Sequence, residues 1–366
     1  MRLVIDGHRL TAGRTGVGRC LESLLDVWAE EGWPLPETLL IARDEAGLIG
    51  LPSRSGLARK VLGGNWPGLA WELFALGREL RSDDVLLAPA NLVPPNWRGR
   101  TVLILYDTLP WTVRSSFPWH VRWRLGWRYR LAARRATRIV VPSEATARDV
   151  ARVHGVSESC LRVAHPGPEP WFRPLEADSA EVRKARAVAG LGDSAFFLFV
   201  GKRSARRNVP AVLEGFARHR ARFTDSRLVF VGPAGGVGLP GESAGVIDAG
   251  HVAEEVLHGL YAGATALLYP SDYEGFGLPV VEAQASGCPV VTLRNSALVE
   301  SAGEAALFLD RPDADAMTRA LDRLAFDLVF RADLVRRGLE HVRRFSRALF
   351  ARAVKDEILR VAQEDQ

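Results

Sequence analysis

The sequence predicts an α/β protein made of two doubly wound parallel-sheet domains facing a cleft, and three observations carry that prediction. Runs of four or five continuous apolar residues recur along the 366 residues, the pattern of parallel strands covered on both faces. Helical stretches alternate with them, as in successive βαβ units. Midway along the chain, HPGPEPWFRP (His165–Pro174) places four prolines in ten residues, which disfavours both helix and central strand.

In chain order, the first half predicts strands at Leu3–Asp6, Thr38–Ala42, Val85–Ala88, Val102–Tyr106, Arg138–Val141 and Leu161–Ala164. The second half predicts Phe196–Val200, Arg227–Val231, Gly245–Asp248, Thr265–Tyr269, Pro289–Thr292 and Ala305–Leu309. Twelve strands are many for one open sheet and ordinary for two sheets of about six. Helices are expected at Cys20–Trp28, Glu181–Ala189 and Val209–Arg218. The proline-rich stretch then reads as a connection between domains at residues 1–170 and 171–345. Ligands of open α/β sheets bind outside the carboxyl ends of the strands, so the chemistry is sought in the loops there.

Composition narrows the classes. Hydrophobic content of 47% and charged content of 25% are globular values. Three scattered cysteines, Cys20, Cys160 and Cys288, give neither a disulfide framework nor a metal spacing. No apolar run reaches the roughly 18 residues of a membrane span, and the three-residue apolar run of MRLVIDGHRL is too short for a signal peptide. The expectation is a cytoplasmic protein. Net charge is +5, yet eight arginines and no acidic residue lie between Arg114 and Arg138, which suggests an anionic partner for that face.

Four strand-end loops carry unusual chemistry. In RTGVGR, Gly16 and Gly18 precede a helical run, which reads either as plain turn chemistry or as bare backbone that a phosphate can approach. In FVGKRSARRN, Gly201 is followed by Lys202, Arg203, Arg206 and Arg207. Guanidinium and ammonium groups make charge-assisted bonds to phosphate. A solvated basic turn is the alternative, weightier for Arg203 and Arg206 than for Lys202 and Arg207. In YPSDYEGFGLPVVEAQ, a strand ends at Pro270 and Ser271, Glu274 follows in the loop, Gly275, Phe276, Gly277 and Leu278 offer backbone amides, and Pro279 opens a helix that carries Glu282. Carboxylates suit vicinal hydroxyls while free amides and a helix N-terminus suit phosphate, and a nucleotide sugar has both. In VLILYDTLP, Tyr106 and Asp107 end a strand; Asp107 either caps the next turn or faces Glu274 across the cleft.

Together these residues resemble the retaining GT-B glycosyltransferases of family four. The glutamate pair Glu274–Glu282, VGKRSARRN, RTGVGR, VPSEATARDV, HPGP and FSRALFARAV appear in the family's order, and IDGHRLTAGRTGVGR with LYDTLP is closest to its mannosyltransferase-like branch. The resemblance implies that Glu274 and the amides of Gly275–Leu278 contact the donor sugar and that Glu282 binds the ribose. Lys202 and Arg207 hold the diphosphate, assisted by the backbone at Gly16 and Gly18. Gly201 and Ser271 also belong to the donor site, and the base sits near His251 and Val252. It further implies that a last helix, about 346–366, crosses back to the first domain, and that transfer retains anomeric configuration with the leaving phosphate as base. The catalytic set is then Glu274, Lys202, Arg207 and Asp107, with GDP-mannose the first-choice donor. Bacterial surface polysaccharide is the implied product class, with a saccharide or lipid-linked acceptor.

No metal and no cofactor is expected. Asp313-Ala314-Asp315 imitates a metal motif but reads as an N-cap and a first-turn acid before a helix. On the acceptor side, Tyr106 stands where many relatives have histidine, and Arg122 and Arg128 lie in FPWHVRWRLGWRYRLAARR. There Trp119, Trp123 and Trp127 share one helical stripe. The tryptophans read as core, and the arginines as either a solvated face or an acceptor-facing patch. A basic tryptophan helix lying on the inner face of a membrane is the alternative. A phosphorylase would need a pyridoxal-phosphate lysine, and a nicotinamide dehydrogenase a G-x-G-x-x-G after the first strand. Neither fits, and no nucleic-acid partner is expected.

Overall fold

The computed structural model describes residues 1–366 apart from 12–15, 52–55, 65–69, 114–116 and 364–366. Arg14 and Thr15 of the first glycine loop, and Arg114, lie outside the described residues.

The chain divides into two compact units, Met1–Gly167 with Ser346–Gln366, and Pro168–Phe345. Unit 1 holds β1 (Leu3–Asp6), β2 (Thr38–Ala42), β3 (Leu57–Val61), β4 (Val85–Ala88), β5 (Arg100–Ile104), β6 (Arg138–Val141) and β7 (Leu161–Val163). They pair in parallel in the order β3-β2-β1-β4-β5-β6-β7. Unit 2 holds β8 (Phe196–Val200), β9 (Arg227–Val231), β10 (Val246–Gly250), β11 (Ala266–Tyr269), β12 (Val290–Leu293) and β13 (Leu307–Leu309). Its parallel order is β10-β9-β8-β11-β12-β13. Both orders reverse beside their first strand, between β1 and β4 and between β8 and β11. That reversal is the topological switch point of a Rossmann-like sheet.

The longer helices are α1 (Gly16–Glu31), α2 (Trp119–Arg135), α3 (Glu144–His154), α4 (Ala180–Val188), α5 (Val209–Arg220), α6 (Glu254–Gly263), α7 (Leu278–Ala285), α8 (Ala314–Phe326), α9 (Leu328–His341) and α10 (Arg347–Gln363). Each sheet is covered on both faces, and successive strand residues serve opposite cores. Leu3 and Ile5 join one cluster with α1 and α10, while Val4 joins the other. In unit 2, Phe196 and Leu198 face one cluster and Phe197 and Phe199 the second. Helix α10 returns to unit 1, where Phe350, Val354 and Ile358 enter its core and Trp28 Nε1 donates to the Ala351 carbonyl at 2.9 Å. A buried ion pair, Arg138 to Glu357 at 2.5 Å, ties α10 to β6.

Three expectations need correction. Strand β3 was not foreseen, because it is an edge strand of sequence LARKV whose residues alternate between half-buried and exposed; charged edges of this kind block further pairing. Helix α1 begins at Gly16, four residues before the expected start at Cys20, so Gly16 and Gly18 lie in its first turn. The tryptophans of α2 are not core: Trp119, Trp123 and Trp127 are 73%, 69% and 54% exposed. Small residues, Gly126, Ala132 and Ala133, make the buried contacts of α2 instead. A Cβ on Gly126 would meet the Trp111 ring at 2.8 Å, so the glycine is what lets that ring lie against the helix.

Candidate functional site

The two chemically unusual loops of unit 2 follow β8 and β11, the strands that flank its switch point. Strand β8 is fully buried and leads into Gly201 at φ +122°. A side chain there would fall 1.7 Å from Arg207 Nη1, so glycine is required both by the backbone and by the guanidinium lying over it. The chain then makes a short 3-10 turn at Ala205–Arg207, which ends on Asn208 in the left-handed region at φ 51° before α5 starts. That turn directs Arg206 and Arg207 toward the second loop. Asn208 laces the loops together, donating to the Pro270 carbonyl at 2.9 Å and to Asp272 Oδ1 at 2.7 Å.

Glu274 is the meeting point. Its Oε1 accepts from Arg206 Nη1 at 2.8 Å, from Arg207 Nε at 3.2 Å and from the Ser271 hydroxyl at 2.9 Å. Its backbone N–H donates to Ser296 Oγ at 3.1 Å. Burial alone would raise the carboxyl pKa, but Arg207, Arg206 and the two side-chain hydrogen bonds outweigh it and hold Glu274 below the ordinary 4.5. Arg207 lies over the Tyr269 ring, 5.2 Å from its centroid, and donates to the Tyr269 hydroxyl at 3.2 Å. Burial would lower the Arg207 pKa; Tyr269 and Glu274 keep it raised. Arg207 Nη1 is buried and has no hydrogen-bond partner among the described residues, a donor left over for an anion.

The sorting of the four cations differs from the sequence expectation. Lys202 is exposed, whereas Arg203 is only 7% exposed and pairs with Asp248 at 2.5 Å. Arg206, given to the solvent by the sequence, is half-buried on Glu274, Ser271 and the Tyr273 carbonyl. The 3-10 turn and the left-handed Asn208 decide which cations point inward, and neither is legible in a run of basic residues.

Gly277 sits at φ +102° as the N-cap of α7, where a Cβ would crowd Leu298 and Ser301 at 3.0 and 3.1 Å. Leu278 and Pro279 open the helix, and Phe276 is buried edge-on against Phe345 at 5.3 Å. Glu282, one turn on, is 3% exposed, and its Oε2 accepts from the Tyr261 hydroxyl at 2.9 Å. His251 and Val252 follow the carboxyl end of β10. Asp313 caps α8, accepting from the Ala316 amide at 2.8 Å, and Asp315 pairs with Arg218, the capping chemistry expected of that motif.

In unit 1, Gly16 is exposed at the first turn of α1, no other described residue lies within 4 Å of its Cβ direction, and no acidic residue occupies that turn. Asp107 Oδ1 accepts from the Leu109 amide at 2.9 Å, so the residue caps the next turn as one of its two readings required. Tyr106 lies past the end of β5; burial, with Cys20 beside it, holds its hydroxyl pKa well above the usual 10.0. Arg122 is half-buried on α2, and Arg128 is ion-paired with the buried Glu72.

Sequence reasoning missed a polar constellation at the unit 1 switch point. Asp6 ends β1, is 2% exposed, and holds His8 Nδ1 at 2.9 Å from both carboxylate oxygens. Asn91, after β4, sits at φ 64°; it accepts the Tyr106 amide at 2.7 Å and donates to Tyr129 at 3.0 Å. Glu72 lies on a π-helical turn, Trp71–Leu76, a geometry frequent at functional sites. An aspartate closing the first strand was the one visible signal.

Residues 15–170 match the family model Glycosyltransferase Family 4, and residues 195–327 match Glycosyl transferases group 1. Over 97 residues the chain is 41% identical to the O-antigen chain mannosyltransferase B of Escherichia coli, covering 26% of each protein. Over 230 residues it is 34% identical to the D-inositol 3-phosphate glycosyltransferase of Acidothermus cellulolyticus, covering 57% of this chain and 50% of that one. These matches therefore span half or less of the relatives' own length. Among solved structures, WaaG, a glycosyltransferase involved in lipopolysaccharide biosynthesis, superposes with a TM-score of 0.75 at 14% identity, covering 97% of this chain and 99% of that one. The Anabaena protein HepE in complex with UDP and glucose gives 0.74 at 15% identity, with 98% of both chains covered. The chain therefore carries a Glycosyltransferase Family 4 region followed by a Glycosyl transferases group 1 region, and its fold is that of its GT-B structural neighbours.

Proposed function

We propose that the chain is a retaining, nucleotide-sugar-dependent hexosyltransferase in which residues 171–345 bind the donor, and residues 1–170 with the last helix bind the acceptor. The observation that carries this is Arg207, set beside Gly201 at a switch point with its buried Nη1 unpartnered among the described residues. A diphosphate oxygen fits that donor. When the bond from C1 to the leaving phosphate breaks, negative charge grows on that phosphate. Arg207, Arg206, Lys202 and the N-terminus of α5 stabilise it, and fixed donors of this type are worth about 10²–10³ each in rate. The acceptor hydroxyl bonds to C1 on the same face and passes its proton to the departing phosphate.

Glu274 orients the sugar. Oε1 is held by two arginines and a serine, and Oε2 is assigned to a sugar hydroxyl. Glu282 is assigned to the ribose, His251 and Val252 to the base, and the amides of Gly16, Gly18 and Gly275–Leu278 to the donor. Asp107 keeps its catalytic assignment, and Tyr106, Arg122 and Arg128 are assigned to the acceptor side. No divalent ion takes part in this scheme.

GDP-mannose is the first donor to test, supported by the 41% identity to a mannosyltransferase over 97 residues. A UDP-sugar is the second, supported by the HepE complex. The acceptor is a saccharide or lipid-linked saccharide of a bacterial surface polysaccharide, met in the cytoplasm or at the inner face of the membrane. The test is transfer in the presence of EDTA with the product anomer read by NMR. An α-donor gives an α-linkage with an undiminished rate. An inverted product, or a strict need for a metal, refutes the scheme; donor binding without transfer or hydrolysis identifies an inactive homologue.

A further inference from the structure

Four of the ten tryptophans lie within residues 111–127 and are exposed: Trp111 at 41%, Trp119 at 73%, Trp123 at 69% and Trp127 at 54%. Trp119, Trp123 and Trp127 stand about one helical turn apart on α2, so they form a single stripe about two turns long. The helix gains nothing from them in its own fold, since Gly126, Ala132 and Ala133 make its buried contacts. Trp119 meets His120 edge-on at 5.8 Å, and Trp111 donates from Nε1 to the Gly126 carbonyl at 3.2 Å. The fourth ring is thereby fixed to the same helix. A soluble surface rarely keeps so many large rings in water without a use for them.

The surrounding charge selects the occupant. Helix α2 has no acidic residue, and among the described residues Arg122, Arg124 and Arg130 form no ion pair. Indole rings flanked by uncompensated arginines suit the headgroup layer of an anionic bilayer. There the ring lies at the apolar boundary with its N–H toward water, while guanidinium groups meet lipid phosphates. No helix among the described residues is long and apolar enough to cross a membrane, so the contact is made in the plane of the surface.

We propose that the tryptophan stripe of α2, with Arg122, Arg124 and Arg130, docks the protein on anionic lipid surfaces. This inference stands on the surface of unit 1 and is independent of the donor assignment. The test is co-sedimentation of the full chain with phosphatidylglycerol-containing vesicles and with pure phosphatidylcholine vesicles, at low and high salt. It is repeated on Trp119→Ser/Trp123→Ser/Trp127→Ser and on Arg122→Gln/Arg124→Gln/Arg130→Gln. The wild type binds the anionic vesicles at least tenfold more tightly than the neutral ones, and salt weakens the binding. Each triple variant loses about tenfold or more, while the thermal unfolding midpoint of the tryptophan variant stays at the wild-type value because its rings are already in water. Equal binding by the wild type and the tryptophan variant overturns the proposal, as does failure of the wild type to sediment with anionic vesicles. Light scattering adds a further control: a wild-type dimer that the tryptophan variant turns into a monomer would assign the stripe to a second copy instead.

Discussion

Replacing Glu274 by glutamine tests the heart of the unit 2 site without changing its shape. The carboxylate is the shared acceptor of Arg206, Arg207 and Ser271, at 2.8, 3.2 and 2.9 Å, and its side chain is only 13% exposed. Removing one partner of a buried ion pair altogether costs about 3–5 kcal/mol. Glutamine keeps an oxygen in place, so the loss is the difference between charged and neutral hydrogen bonds, about 1 kcal/mol for each guanidinium bond. The expected destabilisation is about 2–3 kcal/mol, against about 3–5 for Glu274→Ala. For a unit the size of Pro168–Phe345 each kcal/mol moves the melting temperature by about 2–4 °C, so thermal unfolding should shift down by roughly 4–12 °C. Pyrophosphate then stabilises the glutamine variant more than the wild type, because an added anion restores the negative charge that the two guanidiniums have lost. The pH dependence follows the same pair. The folded carboxyl lies below 4.5, so its contribution is complete above that value and is lost as the pH falls through the folded pKa; in Glu274→Gln that part of the acid limb disappears. A shift under about 1 °C, or no extra response to pyrophosphate, would refute the coupling of Glu274 to the phosphate-binding arginines.

Further tests address other parts of the molecule. Gly201→Ala forces a side chain into the place of Arg207 Nη1 at a φ of +122°; calorimetry should show nucleotide affinity falling at least about tenfold, with about 1–3 kcal/mol of backbone strain. His154 is fully buried with both ring nitrogens unpaired among the described residues, and burial, with Arg130 and Arg134 nearby, lowers its pKa from 6.5 to about 4. The unfolded chain takes the proton first, so stability is complete above pH 6.5 and declines by about 3 kcal/mol as the pH falls toward 4. His154→Leu removes that slope from urea unfolding curves. Phe350→Ala hollows the core where α10 meets unit 1 and should cost about 3–5 kcal/mol in the same measurement.

The legible parts of this chain are those set by local, repeating chemistry. The alternation of buried strands and helices gave both sheets, because residues such as Phe196–Val200 are apolar on both faces and allow no other element. Glycines at Gly201 and Gly277 were visible because positive φ and close approach admit almost nothing else. What stayed hidden depends on geometry between loops. Arg206 and Lys202 are near neighbours of similar charge, and only the turn ending at Asn208 buries the one and leaves the other in solvent. The tryptophans of α2 show the same limit. Their spacing defines a face, but which face enters the core is set by the small residues opposite, and apolar periodicity weighs the large side chains more heavily.

The central claim is that Arg207 and Glu274 form a nucleotide-sugar site, and titration of donors without acceptor tests it most directly. GDP-mannose, UDP-glucose, UDP-N-acetylglucosamine and dTDP-rhamnose are titrated into the wild type, Arg207→Ala and Glu274→Gln, with and without EDTA. Saturable binding of one donor by the wild type is expected, unchanged by EDTA. Arg207→Ala should abolish it, while Glu274→Gln loses the preference for the sugar over the free diphosphate. A wild type that binds none of these donors, or binds one equally well without Arg207, would contradict the claim.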